Sequence, residues 1–98
     1  MPNFPQPVRQ TIVHKIDVYL TDVIENIYKA AHTTIKENKN NYLNNASNSL
    51  DLLKFFLFII WETKILDNNK FALLSENIHW IGKMLGNWIK SLDKNNKG

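Results

Sequence analysis

Residues 71–92 read FALLSENIHWIGKMLGNWIKSL, and within them Phe71, Leu74, Ile78, Ile81, Leu85, Trp88 and Leu92 recur at alternating spacings of three and four. That interval averages 3.5 residues and places all seven side chains on one seam of a helix, predicted over residues 70–92, which must then face another helix along its length. The same stretch holds Gly82 and Gly86, each costing a helix about 1 kcal/mol relative to alanine. The offsetting gain is expected from close approach of a neighbouring helix backbone, so Gly82, Gly86 and Trp88 read as helix-packing positions.

Upstream, a second helix is predicted over residues 42–66. Its first half is amphipathic through Leu43, Ala46, Leu50 and Leu53, but residues 55–61, FFLFIIW, are apolar on every side. In a three-helix monomer one face of each helix meets water, so Phe55, Phe56, Phe58 and Trp61 imply either burial all round or contact with another subunit. A third helix is predicted over residues 7–37, with Pro7 as an opening residue whose missing N–H costs nothing there. Val8, Ile12, Ile16, Tyr19, Val23, Ile27 and Ala30 form one seam of it; Val13, Leu20, Ile24, Ala31 and Ile35 form a second beside the first. A helix with so wide an apolar face is expected to touch two neighbours. The polar cluster KENKNN at 36–41 and the residues Asp67, Asn68 and Asn69 read as the connecting loops, and DKNNKG at 93–98 as a polar tail. Short connections imply antiparallel neighbours. The expected fold is therefore all-α, an antiparallel helical bundle in one domain over residues 1–98.

Composition narrows the functional classes. A chain of 98 residues buries enough surface for one modest core. Cysteine is absent, which removes disulfides, thiolate nucleophiles and Cys-based zinc sites and fits a reducing cytoplasm. The N-terminal residues lack the apolar segment of a secretory signal, and the most hydrophobic run is far shorter than the ~20 residues of a membrane span. Twelve Lys and Arg against nine Asp and Glu leave a net charge of +3, which permits nucleic-acid or acidic-protein partners without requiring them.

No catalytic constellation stands out. His14, His32 and His79 lack the HExxH spacing that brings two imidazoles to one metal. Asp17, Asp22, Glu25, Glu62 and Glu76 show no inward-facing ExxH pairing and read as solvated faces, with a helical pair such as Glu25 and Lys29 adding a few tenths of a kcal/mol. Phosphate-cradling and nucleophile-elbow motifs are missing, so no enzyme activity, metal or cofactor is expected. The aromatic residues Phe55, Phe56, Phe58, Trp61, Trp80 and Trp88 lie at helical spacing within apolar runs and read as core or subunit contacts ahead of base-stacking platforms. One polar pattern stands apart: Lys83, Asn87, Lys90, Lys94 and Lys97 fall at spacings of four, three, four and three. Such a stripe is either a solubilising face, favourable at a helix C-terminus, or a set of phosphate contacts.

Two blocks give the chain a family resemblance. Phe4-Pro5 followed by residues 9–16, RQTIVHKI, resembles the motif FP…R-x-T-L-G-x-R-I of the accessory variability determinant (Avd) proteins of diversity-generating retroelements, with isoleucine, valine and lysine in place of its leucine, glycine and second arginine. Residues 81–91, IGKMLGNWIKS, are similar to that family's IGKMLGGWIKS, with Asn87 replacing a glycine. Between these, LDLLKFFL at 50–57 resembles the family's middle helix, although Phe58 stands near where an arginine is usual. The resemblance implies a four-helix bundle whose first helix would precede the Phe4-Pro5 turn, so this chain supplies three of the four. It also implies a basic homo-oligomer, a pentamer in characterised members, that partners a reverse transcriptase and its template RNA during cDNA synthesis. On that basis Arg9 and Lys15, where the basic block begins, join Lys83, Lys90, Lys94 and Lys97 as expected contacts to RNA or DNA. The alternative is a structural bundle of the related type encoded in rRNA intervening sequences, with no retroelement partner.

Overall fold

The computed structural model describes the backbone of residues 6–97 and the side chains of residues 7–92; the Phe4-Pro5 turn and the side chains of Lys94 and Lys97 lie outside the described residues. Three helices follow one another, α1 (Gln6–His32), α2 (Lys36–Glu62) and α3 (Asn68–Lys97), packed antiparallel, with no strand among the described residues. The all-α prediction agrees with this. Each α-helix is satisfied by its own backbone hydrogen bonds, so the tertiary structure is decided by which apolar seams meet.

The seam that organises the rest belongs to α2. Leu43, Ala46, Leu50, Leu53, Leu57 and Ile60 recur every three or four residues and are all buried. Onto them α1 lays Ile12, Val23 and Ala30, and α3 lays Ile78 and Leu85. Both outer helices pack on α2, and none of their Cα atoms approach each other within 8 Å among the described residues. The body is elongated, 52 × 23 × 17 Å.

Fully burying an aliphatic side chain contributes about 1.5–3 kcal/mol, and the α2 seam collects six buried apolar residues. Polar contacts set the register between helices. The Ser49 hydroxyl donates to the Asp22 carboxylate across α1 and α2, while within α1 the buried Asn26 amide donates to the Asp22 carbonyl at 2.8 Å. Near the α2–α3 turn the Trp61 ring stacks on Phe71, 4.6 Å between centroids, while its indole N–H donates to Asn68 Oδ1 at 2.7 Å. Sliding either pair of helices by one residue would part Ser49 from Asp22, or Trp61 from Phe71, and turn apolar side chains off the seam.

Both loops fall elsewhere than the sequence predicts. The first is Thr33–Ile35 instead of the polar cluster 36–41, which forms the opening turns of α2. Thr33, Thr34 and Ile35 are three β-branched residues in succession, poor helix formers, and the Thr33 hydroxyl accepts the Ile35 N–H at 3.3 Å in competition with the helix. Lys36 to Asn41 can be helical without apolar residues because a helix end meets mainly water, and Glu37 in the first turn suits the positive end of the helix dipole. The second loop is residues 63–67 in place of 67–69. Asp67 is a cap, its Oδ1 accepting the Lys70 N–H at 2.8 Å, and Asn68 and Asn69 already belong to α3. The predicted tail is also corrected: α3 continues to Lys97, since no proline or glycine interrupts residues 93–97.

The end of α2 explains the earlier stop. Lys64 has φ of +63°, its N–H donates to the Trp61 carbonyl at 3.0 Å, and the Ile65 N–H reaches back to the Ile60 carbonyl at 2.9 Å. This pairing is a Schellman motif whose left-handed position is ordinarily glycine. A side chain at that φ is disfavoured by roughly 1–2 kcal/mol. Lys64 is exposed, so Lys64→Gly should raise stability by about 1 kcal/mol and the melting temperature by roughly 4–8 °C in a domain of this size. Thermal unfolding followed by circular dichroism checks this; a lower melting temperature would show that the lysine side chain stabilises the turn.

Candidate nucleic-acid interface

The outer face of α3 follows from its inner one. Ile78 and Leu85 are buried against α2, which puts residues half a turn away in solvent, and Trp80, Lys83, Asn87 and Lys90 are all exposed there. Spaced at three, four and three, they form one row about 15 Å long. The Lys83 ammonium lies 5.2 Å from the centre of the Trp80 ring, a cation–π contact, and the His79 ring meets the same indole edge-on at 6.0 Å. Among the described residues the one ion pair is Lys54 with Asp51, at 3.9 Å.

Of the six predicted basic residues, the four whose side chains are described, Arg9, Lys15, Lys83 and Lys90, do not converge. Arg9 and Lys15 are exposed near the start of α1, where Arg9 lines a surface cavity of about 360 Å³ with Gln10, Val13, His14, Asp17 and Ile65. Lys83 lies beside Gly82, which packs against Leu50; the adjacent Ser49 bonds to Asp22. Lys83 is therefore level with Asp22, about 20 Å along α1 from Arg9. Because α1 and α3 pack on separate flanks of α2, these basic residues form two distinct surfaces. Lys83 and Lys90 form one; Arg9 and Lys15 lie at the other end. The predicted pair of Glu25 and Lys29 does not form either, and Lys29 instead rests 5.9 Å from the Tyr42 ring.

The glycine expectation needs correction. A Cβ at Gly82 would meet Leu50 Cδ2 at 3.4 Å and Lys54 Nζ at 3.7 Å, both ordinary side-chain contacts, and a Cβ at Gly86 would meet nothing within 4 Å. Neither glycine is held against a neighbouring backbone, because α3 rests on the ends of α2 side chains. Of the aromatics, Phe56 and Trp88 are half-buried against the core and Trp61 is half-buried on Phe71, whereas Phe55 is 59% exposed, Trp80 55%, and Phe58 is also exposed. Trp80 is thus neither core nor a contact within this chain's helix packing. Its position three residues from Lys83 was the available signal.

Apolar surface remains on the flanks where α1 and α3 fail to meet. On α1 the first seam packs on the core from Ile12 to Ala30, with Val8 exposed, while Val13, Leu20 and Ile24 of the second are exposed. The opposite flank of α1 carries Asp22, Asn26 and Lys29, which adjoin Tyr42, Asn45 and Asn48 on the side of α2 away from α3. On α3 the flank bearing Ser75 and His79 adjoins Lys54 and Phe58, so Leu74, Ile81 and Trp88 lie on the flank turned towards α1. A trough with apolar walls and α2 as its floor runs between the outer helices. The expectation that α1 has two helical neighbours is not met among the described residues.

Three histidines remain apart: His14 is exposed, His32 stacks on Tyr28 at 4.1 Å, and His79 adjoins Trp80. No group of three or more His, Cys, Asp or Glu side chains suited to a metal ion occurs among the described residues. No helix among them is long and apolar enough to cross a membrane. Comparison with protein-family models, curated proteins and solved structures finds no match to this chain.

Freed from the requirement for a small residue, Gly86 carries the helix penalty without an evident return. Gly86→Ala should stabilise the protein by about 1 kcal/mol, read as a raised midpoint in urea with an unchanged slope. A lowered midpoint would place another chain's atoms against Gly86.

Proposed function

We propose that this chain is a non-catalytic subunit of a self-associating helical bundle that binds nucleic acid through α3. The observation carrying the binding reading is the exposed row Lys83, Asn87 and Lys90 on the face opposite Ile78 and Leu85. Lysine is a point charge without the planar fork of arginine, so such contacts position a phosphate backbone and leave bases unread. Repetition around an oligomer turns a weak contact into useful avidity.

The trough between α1 and α3 supports the bundle reading. Two helices on separate flanks of a third, with apolar walls facing one another, leave the place of a fourth helix, as the resemblance to the Avd proteins implies. Supplied by another copy of the chain, that helix makes the assembly a homo-oligomer, with a pentamer as the form the resemblance favours. In the cytoplasm, its partners on this reading are a reverse transcriptase and its template RNA. A nearby reverse-transcriptase reading frame with a template and variable repeat pair would distinguish this role from the rRNA intervening-sequence alternative.

Self-association is expected at micromolar concentration in sedimentation velocity, and Ile24→Glu, which puts a charge in the trough wall, should shift the protein towards monomer. A monodisperse wild-type monomer would remove the oligomer from the proposal.

Filter-binding titrations with random RNA test the basic face. Each phosphate neutralised contributes about −0.9 to the slope of log K against log salt on B-DNA and about −0.7 on a single strand. Lys83→Gln with Lys90→Gln should flatten that slope and weaken all sequences alike. Absence of binding at low salt, or binding indifferent to salt and to both substitutions, would leave α3 a solvated face and favour the structural alternative.

A further inference from the structure

We infer that Trp80 is a stacking platform for an unpaired base, which makes the ligand of the α3 face single-stranded nucleic acid in preference to duplex; this deepens the nucleic-acid reading above and rests on it. The indole is more than half exposed, shares a helix face with Lys83, Asn87 and Lys90, and has the Lys83 ammonium at one side of its ring. An aromatic plane beside a row of cations is the arrangement that binds a strand without reading its sequence, since every base has a π-face and every linkage a phosphate. Duplex bases are already stacked on one another and offer no free face to an indole on a helix surface. Lys83 links the two parts of the site. A base arriving on the ring displaces the ammonium from its cation–π contact, and the flexible side chain then lies beside the phosphate of the same nucleotide. Asn87 and Lys90 continue the row along the helix, where the amide donates to a phosphate or sugar oxygen and the second ammonium takes the next charge.

The other two tryptophans are placed differently. Trp61 is stacked on Phe71 and bonded to Asn68, and Trp88 is half-buried against the core. Trp80 is therefore the indole through which a bound base would act on fluorescence.

The test uses the full-length chain with a single-stranded oligoribonucleotide and a duplex of equal length at low salt. Wild type should bind the single strand about tenfold more tightly than the duplex, with quenching of tryptophan emission. Trp80→Phe should keep that affinity while losing most of the quenching, and Trp80→Ala should lose the preference for single strands with its duplex affinity and salt slope unchanged. Circular dichroism establishes that both variants fold. Equal wild-type binding of the two forms, together with no effect of Trp80→Ala, would overturn the stacking platform while leaving salt-dependent phosphate binding in place. Failure of wild type to bind either form would overturn both readings. Emission changes that track protein concentration and not added RNA would assign Trp80 to a contact between chains and overturn the platform.

Discussion

Six apolar residues on α2, Leu43, Ala46, Leu50, Leu53, Leu57 and Ile60, form the line against which both other helices are held. Among the described residues α1 and α3 make no Cα approach within 8 Å of one another, so each is positioned by its packing on α2. This is a consequence of angle around one helix: residues on the Ser49 and Phe56 side meet α1, and those on the Lys54 side meet α3. A closed three-helix bundle would have joined the outer helices and covered their inner flanks. The open arrangement leaves those flanks apolar and in water, at a free-energy cost that a further helix would relieve.

The basic face and the apolar trough are two sides of the same construction. Because only one side of α3 is needed for α2, its outside is free to carry Lys83, Asn87 and Lys90, and its inner flank is left with Leu74 exposed and Ile81 and Trp88 half-covered. An assembly that covers the trough would leave the lysine row outward. On the proposed reading, oligomer formation and nucleic-acid binding would use different surfaces of one helix.

The turns show how local chemistry overrode composition. A polar run at 36–41 resembles a loop in any reading based on hydrophobicity, yet the chain breaks at the β-branched Thr33, Thr34 and Ile35, where helix is locally disfavoured. At the other end, Asp67 caps α3 and Lys64 adopts a left-handed conformation usually reserved for glycine. The Asp67 signal was legible, being an acidic residue just before an apolar-periodic segment; the Lys64 turn was not, because nothing in its side chain favours positive φ. Glycine in α3 misled in the opposite direction, since its presence invited a packing explanation that the spacing of the helices does not require.

By itself the sequence determined that the chain is helical, since seam periodicity of three and four is a property of local spacing and survives whatever the helices touch. It also determined the first half of the α2 seam, Leu43, Ala46, Leu50 and Leu53, and that Lys83 and Lys90 share a face, whereas the choice of Leu57 and Ile60 from the all-apolar run 55–61 came from the packing. Tertiary structure decided which of the two α1 seams is buried, that Arg9 and Lys15 lie away from Lys83 and Lys90, and that Trp80 stands outside the core. Those outcomes depend on the angle at which α1 and α3 meet α2, and an amphipathic pattern states that a face is apolar without stating whether a partner covers it.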